Sequence, residues 1–94
     1  MEQEENEMSI HVEATPNPNA MKFTSDKMIF QGDASVSVMP GETSEHEIMN
    51  ELLELDGVAN VFGFQNFITI NKQPDAEWEG LIERVKEVMT NKGY

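Results

Sequence analysis

Apolar and polar residues alternate in three short segments of the first half of the chain, which is the pattern of half-buried β-strands. Residues 9–13 place isoleucine and valine on one side and serine, histidine and glutamate on the other. Residues 21–23 and 35–38 repeat the alternation, and a Pro-Gly pair ends the third segment. The pattern therefore predicts three strands before the middle of the chain.

A segment with helical spacing follows the third predicted strand. Ser44 and Glu47 have the spacing of a capping box, which predicts a helix that begins at Ser44. Gly57 supplies the left-handed turn that ends many helices. The apolar residues of this segment recur on one helical face: Ile48, Leu52 and Leu55.

A second predicted helix begins after Pro74, with Asp75 as its N-cap, and ends at Gly93. Its apolar residues recur at helical spacing: Trp78, Leu81, Ile82, Val85, Val88 and Met89. We expect Trp78 to belong to the core, because it begins this apolar stripe.

Residues 58–72 between the two helices are rich in β-branched and aromatic residues and predict a hairpin of strands 58–64 and 67–72. Phe62, Phe64 and Phe67 fall within it. Because side chains alternate across a strand, we expect one of the three near the rim of the core.

The predicted element order is β-β-β-α-β-β-α, in a chain of 94 residues that has room for one core. We therefore predict a single two-layer α+β domain over residues 9–92, with one mostly antiparallel sheet and both helices packed on one face. Residues 1–8 carry four glutamates and predict a mobile acidic tail.

The net charge of −12 makes phosphate backbones and anionic lipids unfavourable partners and favours a basic protein or a hard cation. The chain has no cysteine, which excludes disulfides, thiol nucleophiles and cysteine-bound clusters on its own residues. No apolar run reaches the roughly 18 residues of a membrane helix, and no signal sequence is visible. We expect a cytoplasmic protein.

Glu42, Glu45 and His46 are the best candidates for metal ligands, because carboxylates and an imidazole within one helical turn bind divalent ions. The alternative is a solvated helix start, where acidic residues favour the helix dipole. One histidine with flexible glutamates gives weak, unselective binding of iron or another divalent metal. No catalytic triad or glycine-rich phosphate loop is visible, and we expect no enzymatic activity.

Residues 15–19 read Thr-Pro-Asn-Pro-Asn, a stiff and polar bend between two predicted strands. Each proline fixes its own φ and keeps the preceding residue extended. Two interpretations stay open: a rigid connector, or a loop presented to a partner.

The stretch TPNPNAMKF over residues 15–23 resembles the opening motif of the N-terminal domain of Nfu/NifU-type iron–sulfur scaffold proteins. LDGVANVFGFQNFITINK over residues 55–72 is similar to a second motif of that domain, and the Trp78 helix follows in the same order. The resemblance spans residues 9–89. It implies an α+β domain of proteins that assemble or carry iron–sulfur clusters.

In full-length relatives, as the resemblance implies, a Cys-x-x-Cys motif in a second domain binds the cluster, whereas this chain has no cysteine. Asn66 also replaces the aspartate that the family usually has before Phe-Ile-Thr. The resemblance thus predicts an accessory interaction domain, a monomer that contacts iron–sulfur assembly proteins or apo-targets. The alternative is a weak carboxylate-based metal-binding protein. We expect one continuous partner surface formed by six polar residues: Thr15, Asn17, Asn19, Gln65, Asn66 and Thr69.

Overall fold

Within the part of the chain that the computed structural model describes, residues 10–32 and 34–94, five strands and two helices follow in the order β-β-β-α-β-β-α. This order confirms the one predicted from the sequence pattern. The predicted tail over residues 1–8 lies outside the described residues. The elements are β1 (His11–Ala14), β2 (Ala20–Thr24), β3 (Val36–Val38), α1 (Glu47–Leu53), β4 (Val58–Phe64), β5 (Phe67–Lys72) and α2 (Trp78–Asn91).

The strands form one sheet in the order β1-β2-β5-β4-β3, and every neighbouring pair is antiparallel. Apolar side chains from one face of this sheet and from both helices form a single buried cluster, as the predicted two-layer domain requires. From the sheet come residues such as Phe23, Val61, Ile68 and Ile70. From the helices come Ile48, Met49, Leu52, Leu81, Val85 and Met89.

The β4–β5 hairpin has the predicted boundaries, residues 58–64 and 67–72. Gln65 takes a left-handed φ of 52°, which the tight two-residue turn requires. The strand register shifts between Val58 and Asn60, so β4 carries a bulge at this point. The extra residue allows Val58 and Val61, three positions apart, to face the same core.

Helix α1 begins at Glu47 rather than at Ser44, and the predicted capping box is not formed. The Asn50 side chain instead binds the backbone of Ser44: Ser44 N–H donates to Asn50 Oδ1 at 2.7 Å, and Asn50 Nδ2 donates to Ser44 O at 2.8 Å. Ser44 Oγ accepts from the N–H of His46, the N-cap residue. These local bonds hold residues 44–46 in a turn and delay the helix by one turn.

Helix α2 begins at Trp78 with Glu77 as its N-cap, so the prediction of Asp75 as the cap is wrong. The helix runs to Asn91, and Gly93, which has a φ of 96°, closes it as predicted. Gly93 N–H donates to Thr90 O at 3.0 Å and Tyr94 N–H donates to Met89 O at 2.9 Å, the two bonds of a Schellman motif. No helix within residues 10–32 and 34–94 is long and apolar enough to cross a membrane.

Helix α1 ends at Leu53, so Gly57 does not terminate it directly. Gly57 does take the expected left-handed conformation, with a φ of 99°, in the connection to β4. Its carbonyl accepts a hydrogen bond of 2.7 Å from Gln73 N–H, which ties this connection to the segment after β5.

Lys92 joins the two helices by ion pairs from the end of α2 to Glu51 and, at 3.2 Å, to Glu47. The hydrogen bonds that Lys92 donates to Glu51 and to Glu47 raise the pKa of Lys92 above its ordinary value of 10.5. The Lys92 ammonium therefore stays charged through neutral pH and loses its proton only in strongly alkaline solution.

The ring of Phe30 occupies the space that a side chain at Gly63 would need. Phe30 is 2% exposed, and a Cβ added to Gly63 would lie 2.5 Å from Phe30 Cζ and closer still to Cε2. Glycine at position 63 therefore lets the core ring lie directly on β4.

Gly63→Ala is expected to lower the free energy of unfolding by about 1–3 kcal/mol, because Phe30 must leave its packed position. The matched control is Gly80→Ala in α2, where no atom lies within 4 Å of the added carbon. Alanine there should stabilise the helix by about 0.5–1 kcal/mol. Urea unfolding measures both values, and equal stability of the two variants would contradict the close packing of Phe30 on Gly63.

Candidate functional site

The bend at residues 15–19 is fixed by its own side chains. Thr15 Oγ1 lies 2.9 Å from Asn17 O and 3.0 Å from Ala20 O, and it accepts from Asn17 N–H at 3.1 Å. Asn17 Oδ1 accepts from Asn19 N–H at 2.9 Å. The side chains of Thr15 and Asn17 thus hold the bend in one conformation, as expected of a rigid connector. A rigid connector is one of the two interpretations that the sequence left open.

The same bend is also attached to the end of the sheet and to α2. Lys72 N–H donates to Asn19 O at 2.8 Å, and Lys72 Nζ donates to Asn19 Oδ1 at 3.1 Å. Trp78 Nε1 donates to Pro18 O at 3.0 Å. Trp78 packs against the core, as the sequence predicted, and its indole N–H also holds the bend, which the sequence did not reveal.

The β4–β5 turn anchors the segment that follows β2. Gln65 O accepts from the N–H groups of Ile29 and Phe30, each at 2.9 Å. Asn66 O accepts from Ser25 N–H at 2.7 Å, and Asn66 Nδ2 donates to Ser25 O at 3.0 Å. An aspartate at position 66 would have no side-chain N–H to donate to Ser25 O, so the asparagine fits this contact.

The expectation of one continuous surface from the bend and the turn is wrong. Ala20, next to the bend, pairs with Asn71, whereas Thr24 at the far end of β2 pairs with Phe67, next to the turn. Four steps of about 3.4 Å separate these pairs. Thr15, Asn17 and Asn19 therefore lie at one end of the sheet, Gln65 and Asn66 at the other, and Thr69 between them.

The face of the sheet opposite the helices carries an aromatic cluster of Phe62, Phe64 and Phe67. The Phe67 ring centroid lies 6.3 Å from that of Phe62 and 6.1 Å from that of Phe64. Lys22 Nζ stands 4.5 Å from the Phe67 centroid, a cation–π distance. All three rings are half-buried on this face, where the sequence led us to expect one near the rim.

We call this surface the open sheet face and define it by Lys22, Phe62, Phe64, Phe67 and Thr69. Thr69 pairs with Lys22 on β2 and with Phe62 on β4, so it lies at the centre. Among the described residues, six acidic residues fall in residues 42–56 and five in residues 75–87, on and around the helices, while Glu13 pairs with Lys22 beside the open sheet face. The two faces of the domain therefore differ in chemistry: one aromatic, the other acidic.

The predicted metal ligands Glu42, Glu45 and His46 do not converge. Among the described residues, no group of three or more histidine, aspartate and glutamate side chains is arranged to hold a metal ion. Glu42 Oε1 accepts from Met39 N–H at 2.9 Å, and the His46 ring lies edge-on to Phe30 at 5.1 Å. The predicted spacing needed a helix through residues 42–46, whereas α1 begins only at Glu47.

Thr15→Val is expected to lower the free energy of unfolding by about 1 kcal/mol, because valine has the shape of threonine but none of its hydrogen bonds in the bend. The control is Thr90→Val, an exposed position in α2, where the two residues have similar helix propensity. Chemical denaturation measures the difference. An equal effect of both substitutions would show that the Thr15 hydroxyl does not stabilise the bend.

Asn66→Asp is expected to cost about 1–3 kcal/mol at neutral pH, because a carboxylate oxygen would replace the donor that faces Ser25 O. The control Gln31→Glu adds the same charge at an exposed position. The cost should shrink below about pH 4, where the protonated carboxyl can donate again. Unfolding curves at neutral and acidic pH test this, and a pH-independent cost would argue against the Ser25 contact.

Comparison with known proteins gives a family match over residues 10–93, to the model described as "Scaffold protein Nfu/NifU N terminal". A curated relative, "Conserved virulence factor C" of Staphylococcus haemolyticus, is 30% identical over 86 residues. The match covers 90% of this chain but 23% of that relative, so the chain spans less than a quarter of its length.

Two solved structures share the fold. The crystal structure of protein SAV1430 from Staphylococcus aureus has a TM-score of 0.77 and 31% identity, with 87% of this chain and 99% of that chain covered. The solution structure of a NifU-like protein from Saccharomyces cerevisiae has a TM-score of 0.70 and 25% identity, with 87% of this chain and 75% of that chain covered. These matches confirm the resemblance drawn from the two sequence motifs. The chain belongs to the family of Nfu/NifU scaffold protein N-terminal domains.

Proposed function

We propose that this domain is an accessory protein-interaction domain in the assembly or delivery of iron–sulfur clusters. The observation that carries the proposal is a family match over residues 10–93 in a sequence that contains no cysteine. Iron–sulfur clusters in proteins are held mainly by cysteine thiolates. On this proposal the thiolates lie outside this domain, on an assembly protein or an apo-target, and this domain contributes a contact surface as a monomer.

The open sheet face is the surface that we assign to this contact. Aromatic side chains framed by polar groups are typical of the centre of protein interfaces. Lys22 and Thr69 supply such polar groups beside the phenyl rings. Because the rings are half-buried and cover one another in part, the apolar area left to a partner is small, which suits a weak and transient contact.

Thr69 is the residue of the expected partner surface that lies on the open sheet face. Thr15, Asn17 and Asn19 flank it at one end of the sheet, and Gln65 and Asn66 at the other. Their hydrogen bonds within the domain support a role in fixing the two ends of the sheet. Direct contact of these five residues with a partner stays a prediction.

The test is an NMR titration of the isotope-labelled chain with cysteine-bearing iron–sulfur assembly proteins of its own organism. We expect shifts centred on Phe62, Phe67 and Thr69, and a loss of affinity of about tenfold in Thr69→Arg, because a long charged side chain blocks the face. The matched control is Thr90→Arg, the same substitution at an exposed position of α2, which should bind as the unmodified chain does.

Shifts confined to the helix layer would refute the open sheet face as the interface. A stable coloured iron–sulfide centre on the isolated chain after reconstitution would refute the accessory role itself, because the chain would then need no thiolate from a partner.

A further inference from the structure

Two adjoining cavities form a groove at the end of the sheet where β5 ends and β4 begins. One, of about 610 Å³, lies between the Gly57 connection, the segment after β5 and the first turns of α2. The other, of about 520 Å³, lies between the turn at residues 40–43, α1 and Val58. Gln73 lines both cavities, so they adjoin at this residue.

Apolar side chains line the inner part of this groove. Val58 and Leu81 are 7% and 2% exposed and belong to the core, while Leu53 and Pro40 lie nearer the surface. The inner lining of the groove is therefore apolar.

The groove is lined by five carboxylates and one cationic side chain, that of Arg84. The carboxylates are spread over both cavities: Glu42 and Glu54 in one, and Asp56, Asp75 and Glu77 in the other. Since no three of the described acidic or histidine side chains converge on a single point, the arrangement does not suit one metal ion. Separated negative charges along an apolar channel suit an extended occupant that carries several separated positive charges.

We propose that this groove, hereafter the acidic groove, binds an extended basic segment of a partner protein in which lysine or arginine alternates with apolar residues. The proposal rests on the proposed function, that the domain acts by contacting another protein, and it adds the chemistry of that partner. Charge complementarity supports the proposal both at long range and at the binding site. The net charge of −12 attracts a basic partner at a distance, and the groove carboxylates with their apolar lining fix where it binds.

The groove and the open sheet face are separate surfaces. The face presents its phenyl rings on the side opposite the helices, whereas the groove is bounded by α1, α2 and the loops beside them. A second copy of this chain is a poor occupant, because it brings the same net charge of −12 to a negative groove.

The experiment is calorimetry and NMR titration of the full chain with a synthetic peptide of Lys-Ala-Lys-Leu repeats, with a Glu-Ala-Glu-Leu peptide as the charge control. The groove variant combines Glu54→Lys and Asp75→Lys. The matched control variant combines Glu83→Lys and Glu87→Lys, which lie on α2 and do not line the groove. Each pair replaces two exposed acids by lysine, so both variants change the net charge equally.

We expect the lysine peptide to bind, with NMR shifts at Leu53, Val58, Gln73 and Leu81, and the glutamate peptide not to bind. The groove variant should bind the lysine peptide about tenfold more weakly, whereas the control variant should lose less than about threefold, from the reduced net charge alone. Two-dimensional NMR spectra of both variants establish that they are folded.

Equal weakening in both variants would overturn the proposal, since it would show attraction to the net charge without a binding groove. NMR shifts confined to the open sheet face would also overturn it. The absence of binding at about millimolar peptide, which corresponds to a binding free energy of about −4 kcal/mol, would do the same. If the cysteine-bearing assembly proteins bind and the peptide does not, the groove proposal fails and the proposed function stands. If the peptide binds and the assembly proteins do not, the proposed function fails and the groove is still a binding site for a basic segment.

Discussion

The pairing of β5 with both β4 and β2 is the interaction on which the rest of this domain depends. The tight turn at Gln65 fixes the register of the hairpin, so that Phe64 stands opposite Phe67. Once that register is set, Ile68 and Ile70 face the helices and are fully buried, and the intervening Thr69 faces the other side. A slip of one residue would exchange these faces and remove the surface against which α1 and α2 pack.

Among the described residues, both helices pack on one face of the five-stranded sheet, and no element packs on the opposite face. Here that face is not simply polar, because three phenyl rings and the stem of Lys22 cover it. Most of the acidic residues within residues 10–32 and 34–94 lie on and around the helices. A partner that approaches the sheet therefore meets aromatic rings, and one that approaches the helices and their loops meets carboxylates. These two chemically different surfaces support the proposal of an interaction domain that has no thiolate of its own.

Both ends of the sheet are held by contacts between residues far apart in the chain. At one end Trp78 reaches Pro18, and at the other the Asn66 amide reaches Ser25. Loops fixed in this way lose little conformational entropy when a partner binds. The two ends therefore frame the open sheet face between them, and the acidic groove lies at the end where β5 ends.

The sequence by itself determined the order of elements, the exact ends of the hairpin and the left-handed glycines at positions 57 and 93, because these follow from local periodicity and turn chemistry. It also determined the absence of a thiolate. Tertiary structure alone decided the start of α1, where the Asn50 side chain competes with the expected cap at Ser44. It also separated the polar residues at the two ends of the sheet, and it decided that the face with the three phenyl rings is the one opposite the helices. The physical reason is that side-chain competition and strand register depend on contacts between distant residues, which local patterns do not encode.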